Sequence, residues 1–247
     1  MKFALAVSCL AASASAFAPT TTSRVASAKT ALAADLNGWV PDESKFCYGL
    51  PGSLAPVGEF DPLGFTEGAD LDKIKSYREA ELQHGRVAML AVIGFLVTEA
   101  PVEYHPLFET GSKDIGPAIR HLDEVRAVVP TFFEFLTIFI GAIELNRALV
   151  GWTAPSQVYD TGLQLKEEYY PGDVGFDPFG LKPSDPEEFA TIQTKELQNG
   201  RLAMLGIAGF VAQELTNGKE ILVNLGLAPD DFDPSSLPVP DPSPYLS

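Results

Sequence analysis

The chain has 247 residues, 46% of them apolar, with 17 Lys and Arg against 33 Asp and Glu. That length suits one compact domain rather than two, and the acidic excess argues against nucleic acid, since phosphate binding needs the opposite balance. Twenty prolines and 21 glycines predict long loops between few regular elements, and the two cysteines, Cys9 and Cys47, offer no CxxC pair or zinc cluster.

Residues 1–16 begin Met-Lys, continue through a small apolar core and end Ala14-Ser15-Ala16, the pattern of a signal peptide with its cleavage site. Residues 17–34 are rich in Ser, Thr and Ala, carry Arg24 and Lys29 and hold no acid, which is transit-peptide composition. The expected division is a leader over 1–34 (signal 1–16, transit 17–34) and a folded part over 35–247. Two successive sorting steps would carry the chain into a plastid, and the Ala14–Pro19 junction resembles that of plastids of secondary endosymbiotic origin. Removal of the leader takes Cys9 with it, so no internal disulfide is expected.

Three helices are predicted, at about 70–100, 131–150 and 185–217. The first starts near Asp70 and must end before Pro101. Pro130 opens the second, and Gly151 closes it. Asp185-Pro186-Glu187-Glu188 supplies the third with an N-cap and a proline at the first helical position, and Asn217-Gly218 with a C-cap. Glu220–Leu227 reads as a short amphipathic piece on a membrane surface. Within the three predicted helices the longest stretches free of charge are Val87–Thr98, Phe135–Ile143 and Leu202–Gln213. None reaches the roughly 18 residues that flag a spanning helix, so hydropathy alone leaves a soluble bundle open.

An internal repeat changes that balance. Glu81-Leu82-Gln83-His84-Gly85-Arg86-Val87-Ala88-Met89-Leu90 returns at Glu196-Leu197-Gln198-Asn199-Gly200-Arg201-Leu202-Ala203-Met204-Leu205. Upstream, Phe60-Asp61-Pro62-Leu63-Gly64-Phe65 matches Phe176-Asp177-Pro178-Phe179-Gly180-Leu181, and downstream Glu99 matches Glu214. Charges inside a spanning segment must pair. Within one helix, acid and base five residues apart sit about 140° apart around the axis. If the first and third helices cross about a pseudo-two-fold axis, Glu81 meets Arg201 and Arg86 meets Glu196. Rows of small residues, Gly85, Ala88, Ala91, Gly94 and Gly200, Ala203, Gly206, Gly209, would let the backbones approach.

Several side chains on these helices could hold a magnesium ion, which takes oxygen or imidazole donors. Glu81 and Glu196 keep lone pairs after pairing with arginine. His84 and Asn199 lie one turn further on the same face, although a lone His is more often a packed core residue and an Asn more often a bond between helices. Gln213 offers an amide oxygen, and Glu144 is compensated by Arg147 three residues on. Glu134 lacks a nearby base and is a weaker candidate.

The paired ELQHGRVAML and ELQNGRLAML motifs, with the two Phe-Asp-Pro-x-Gly turns, resemble the signature of the light-harvesting chlorophyll-binding superfamily over about residues 58–226. The resemblance implies an all-α membrane protein of three transmembrane helices, the first and third crossed, with a short amphipathic C-terminal helix. It makes Glu81, His84, Glu144, Glu196, Asn199 and Gln213 chlorophyll ligands through magnesium, and Arg86, Arg147 and Arg201 their ion-pair partners. A glutamine ligand often found two turns before the middle-helix acid is replaced here by Leu136. The loop after the first helix and the leader are similar to those of the algal fucoxanthin chlorophyll a/c branch. The implied cofactors are chlorophyll a, chlorophyll c and fucoxanthin or a related xanthophyll. The implied role is excitation capture and transfer to photosystem I or II, in an oligomer with other antenna subunits and lipids of the plastid thylakoid membrane. The mature N-terminus would face the stroma, a direction the basic residues Lys73, Lys75, Arg78 and Lys166 favour weakly.

A second reading is a photoprotective quencher that responds to lumen acidity. Gly116–Ile119 and Tyr170–Gly175 resemble the stress-related branch, and the lumenal segments would hold Glu103, Glu109, Asp114, Asp123, Glu124 and Asp230, Asp231 and Asp233. An enzyme is not expected: no nucleophile–base pair, phosphate loop or dedicated metal motif is present in the sequence.

Overall fold

The computed structural model describes residues 36–99, 101–102, 104–105, 116–154, 156 and 163–229. The leader expected over 1–34 lies outside them, as do Glu103, Glu109, Asp114 and the acidic run from Asp230. Among the described residues the protein is helical, with isolated bridges at Leu54–Gly58 and Trp152–Leu165 and no strand. We label the α-helices α1 (Leu71–Thr98), α2 (His121–Val128), α3 (Phe132–Gly151), α4 (Pro186–Asn217) and α5 (Ile221–Asn224).

Local chemistry sets the ends of these helices. Asp185 accepts from the Glu188 amide and Pro186 opens α4, which closes at Gly218 with φ of 63°. α3 ends at Gly151, after which Trp152 turns extended and bridges to Leu165; the Tyr169 ring lies against Gly151, where a methyl group would come within 2.9 Å of it. The two Asp-Pro turns are built alike. Asp61 accepts from the amides of Phe65 and Thr66 at 3.0 and 2.7 Å, and Asp177 from those of Leu181 and Lys182 at 2.9 and 2.8 Å. These bonds hold both carboxyls below their ordinary range, Asp61 mainly through Thr66 and Asp177 through Lys182 and Leu181.

α1 and α4 cross with their backbones in contact. A methyl group placed on Gly85 would come 3.0 Å from the Gly200 Cα, and the reverse holds equally. Ala88, next in the row on α1, is also buried, but the backbones part beyond that turn. Gly206 has only the Val92 side chain nearby, at 3.8 Å, and a methyl group on Gly94 or Gly209 would meet nothing within 4 Å. Phe95 and Phe210, with ring centroids 6.1 Å apart, lie in the widening gap. At one end of the crossing Leu36, Leu50, Ile74 and Tyr170 form a small buried core with Trp39 and Phe189 against it. At the other end, Glu99 accepts from the amides of Ala118 and Ile221, and Glu214 from that of Ile119.

Sequence reading did not anticipate α2, which meets α3 through a bend of 111°. Among the described residues α1 alone is long and apolar enough to cross a membrane by length and composition, and the segments 118–128 and 132–151 pass that measure only as a pair. α3 carries Glu134, Glu144 and Arg147, and α4 is charged along its first half.

Candidate functional site

The crossing brings together the acids and bases that the repeat places on separate helices. Arg201 Nε donates to Glu81 Oε1 at 2.7 Å, and Arg86 Nε donates to Glu196 Oε1 at 2.7 Å. Each helix neutralises the other. Loop carbonyls brace one side: Gly52 accepts from Arg201 Nη1 at 2.7 Å and from Gln198 Nε2 at 3.0 Å, and Pro51 accepts from Arg78.

His84 and Asn199 are exposed and take up matching poses. His84 Nδ1 lies 2.7 Å from the Ala80 carbonyl, one helical turn back. Asn199 Nδ2 donates to the Lys195 carbonyl, also one turn back, at 2.8 Å. Because a carbonyl can only accept, His84 must carry its proton on Nδ1, which leaves Nε2 as a lone-pair donor. In Asn199 the amide hydrogens face the helix, and Oδ1 is left for a ligand. Just beyond each lie two exposed apolar side chains, Val87 and Leu90 after His84, Leu202 and Leu205 after Asn199. A lone-pair donor beside a bare apolar strip suits a flat, apolar macrocycle with a metal at its centre.

Gln213 is half-buried, and its Nε2 is shut off from solvent with no acceptor among the described residues. Glu144 accepts from Gln83 Nε2 on α1 at 2.8 Å and from Arg147 Nη1 at 2.7 Å. Arg147 also reaches Glu79, which is almost wholly buried, at 3.0 Å. Glu79 Oε2 takes the Gly172 amide at 2.6 Å and the Tyr169 hydroxyl at 3.1 Å. Burial and the adjacent carboxylate push the Tyr169 phenol well above its ordinary value, so it remains a donor. Glu134 is exposed and makes no ion pair among the described residues, and Leu136 is half-buried.

Two cavities flank the crossing, of about 790 and 650 Å³. Asp61, Ile74, Tyr77, Glu81 and Arg201 line the first. Their counterparts in the repeat, Asp177, Phe189, Ile192, Glu196 and Arg86, line the second. The repeat has therefore built the same recess twice, each with a charge-neutralised carboxylate in its wall. Sequence reasoning missed Arg78, Glu79 and Gln83. For Gln83 a signal existed, since Gln198 repeats it, and for Arg78 the i,i+3 spacing to Glu81 was a signal; Glu79 meets Arg147 on α3 and a loop at Tyr169 and Gly172, all remote in sequence.

The chain matches the model of the family described as "Chlorophyll A-B binding protein" over residues 46–215. It is 48% identical over 192 residues to light-harvesting complex stress-related protein 3.2, chloroplastic, of Chlamydomonas reinhardtii, covering 76% of this chain and 72% of that one. It is 49% identical over 177 residues to a chloroplastic fucoxanthin-chlorophyll a-c binding protein of Isochrysis galbana, covering 70% and 80%. It is 30% identical over 207 residues to photosystem I chlorophyll a/b-binding protein 6 of Arabidopsis thaliana, covering 76% and 68%.

Proposed function

The chain belongs to the chlorophyll A-B binding protein family, and from that premise we propose that it is a light-harvesting antenna subunit that holds chlorophyll and a xanthophyll and passes excitation to a photosystem. The observation that carries the reading is the matched pose of His84 and Asn199 beside crossed, neutralised carboxylates. Glu81, His84, Glu196 and Asn199 would hold chlorophyll magnesium in the two halves of the repeat, with Glu144 and Gln213 as further ligands. Arg86, Arg147 and Arg201 pair with these acids and hold them in place. Bound pigment supplies the photophysics; the chain sets spacing and orientation and turns apolar surface toward each ring.

In this reading α1, α3 and α4 span the thylakoid membrane, with the N-terminus in the stroma after removal of residues 1–34. The crossing supports two of those spans together, because α4 neutralises the charges of α1 and must lie at its depth. Chlorophyll c and fucoxanthin are the pigments suggested by the likeness to the Isochrysis protein. Other antenna subunits and photosystem I or II are the proposed partners. The test is reconstitution of residues 35–247 with chlorophyll a, chlorophyll c and fucoxanthin. His84→Leu and Glu196→Leu should each lose about one chlorophyll per chain while the helical signal persists. Unchanged stoichiometry in both would overturn the reading.

A second reading, an acid-responsive quencher, is favoured by the 48% identity to the stress-related protein. The Asp61 and Asp177 turns cannot supply such a response. Their depressed carboxyls contribute stability above the unfolded value near 3.9 and lose it only as pH falls through their still lower folded values. Fluorescence lifetimes of the pigmented protein at about pH 7.5 and 5.5 decide between the two. Shortening in acid supports the quencher, and equal lifetimes support the antenna.

A further inference from the structure

The two halves of the repeat match in their crossed ion pairs but differ one turn before each acid. Arg78 precedes Glu81 by three residues, and its Nε lies 3.2 Å from Glu81 Oε2. Arg78 is buried and donates to the Pro51 carbonyl, so it cannot swing away. The counterpart before Glu196 is Gln193, also buried, whose Oε1 accepts from the Tyr170 hydroxyl. Glu81 thus stands between two guanidinium groups, Arg201 at Oε1 and Arg78 at Oε2. Glu196 gives Oε1 to Arg86, and its Oε2 accepts from no protein donor among the described residues.

We propose that Arg78 makes Glu81 the weaker magnesium donor of the two, so that a chlorophyll held through Glu81 would bind less tightly and fill after one held through Glu196. The inference rests on the reading that both carboxylates ligate chlorophyll. A carboxylate binds magnesium through an oxygen lone pair, and a guanidinium at that oxygen competes for the same electron density. The Glu81 cluster carries a formal charge of about +1 against zero at Glu196, by count of one acid with two bases and one acid with one. Groups behind a metal ligand set its donor strength and shift metal affinity by about 10- to 100-fold. Arg78 is therefore a positioning residue that acts on the pigment through Glu81, and Gln193 is the neutral choice that spares Glu196.

Titration of the full mature chain with limiting chlorophyll a and saturating xanthophyll tests this, with Glu81→Leu and Glu196→Leu assigning the two absorption components. The component lost in Glu196→Leu should fill first in the unsubstituted chain. Arg78→Gln should tighten the Glu81 component by about tenfold and bring the two close to equal. Arg78→Lys, which keeps the charge, should leave the order of filling unchanged, a result that a purely structural role for Arg78 does not predict. Gln193→Arg should weaken the Glu196 component and decides the matter if Arg78→Gln fails to assemble. Equal or Glu81-first filling in the unsubstituted chain, or no effect of Gln193→Arg on a folded protein, would overturn the proposal. Should neither leucine variant lose chlorophyll, the ligand reading falls with it; loss in both with equal filling overturns the role of Arg78 alone.

Discussion

Where α1 meets α4, backbone touches backbone at Gly85 and Gly200, and two 2.7 Å ion pairs lock the turn on either side. α3, a helix of 20 residues and the most apolar of the three long ones, buries only Gly151. It reaches α1 through polar ties, Glu144 to Gln83 and Arg147 to Glu79, while Phe135, Ile138, Phe139, Leu145 and Leu149 stand exposed. The crossing is thus made by the protein itself. The position of α3 depends on whatever fills the space around it, because apolar side chains gain nothing from a neighbour they do not reach.

The largest effect that could break this contrast is removal of pigment. Extracting chlorophyll and xanthophyll in mild detergent should expose the α3 amides to hydrogen exchange while the turn around Gly85 and Gly200 stays protected. Equal loss of protection in both would show that the crossing also depends on pigment. Next comes the choice of arginine. Arg86→Leu strands Glu196 and should cost about 3 kcal/mol, the low end for a broken buried pair because both side chains keep about a third of their exposure. Arg201→Leu should cost less, since Arg78 still faces Glu81. Thermal midpoints of the two pigmented variants check this, and the reverse order would remove Arg78 from the account. The smallest effect belongs to Tyr169→Phe, which takes one donor from Glu79 and should cost about 1 kcal/mol. Protease access should then rise along α3 and not along α1.

The crossing was legible because the repeat writes each charge twice, and only a crossed pair neutralises all four. The reach of the contact was not legible. Gly94 and Gly209 continue the small-residue rows in register, yet the angle between helices decides how many turns touch, and sequence register does not encode that angle. The pairing of Glu144 with Arg147 was readable as neighbours one turn apart. Glu79 and Arg78 looked like ordinary charges on the first turns of a helix. The spacing of Arg78 to Glu81 was readable in the same way as that of Glu144 to Arg147, but Gly172 and Tyr169 beside Glu79, and the Pro51 carbonyl beside Arg78, are set by loop paths that no local pattern describes. α2 escaped notice for a related reason: eight residues carry too little periodicity to separate a short helix from a loop.

If α1 and α4 both span, as proposed, the crossed ion pairs also dictate how the chain enters a bilayer. In the proposed topology α1 alone would bring Glu81 and Arg86 into lipid with neither one neutralised by its cross-helix partner, at about 2.5–3.5 kcal/mol for each charge near the centre and less toward the edge. The partners that cancel them, Arg201 and Glu196, lie 120 and 110 residues further along. On that topology insertion would be a single event for both halves, and until it happened the chain would need an aqueous escort able to cover α1 and the apolar second half of α4 together. A chain cut just before α4 should stay extractable from membranes by alkali while the full chain resists. Firm insertion of the shortened chain would show that α1 settles in the membrane without its twin.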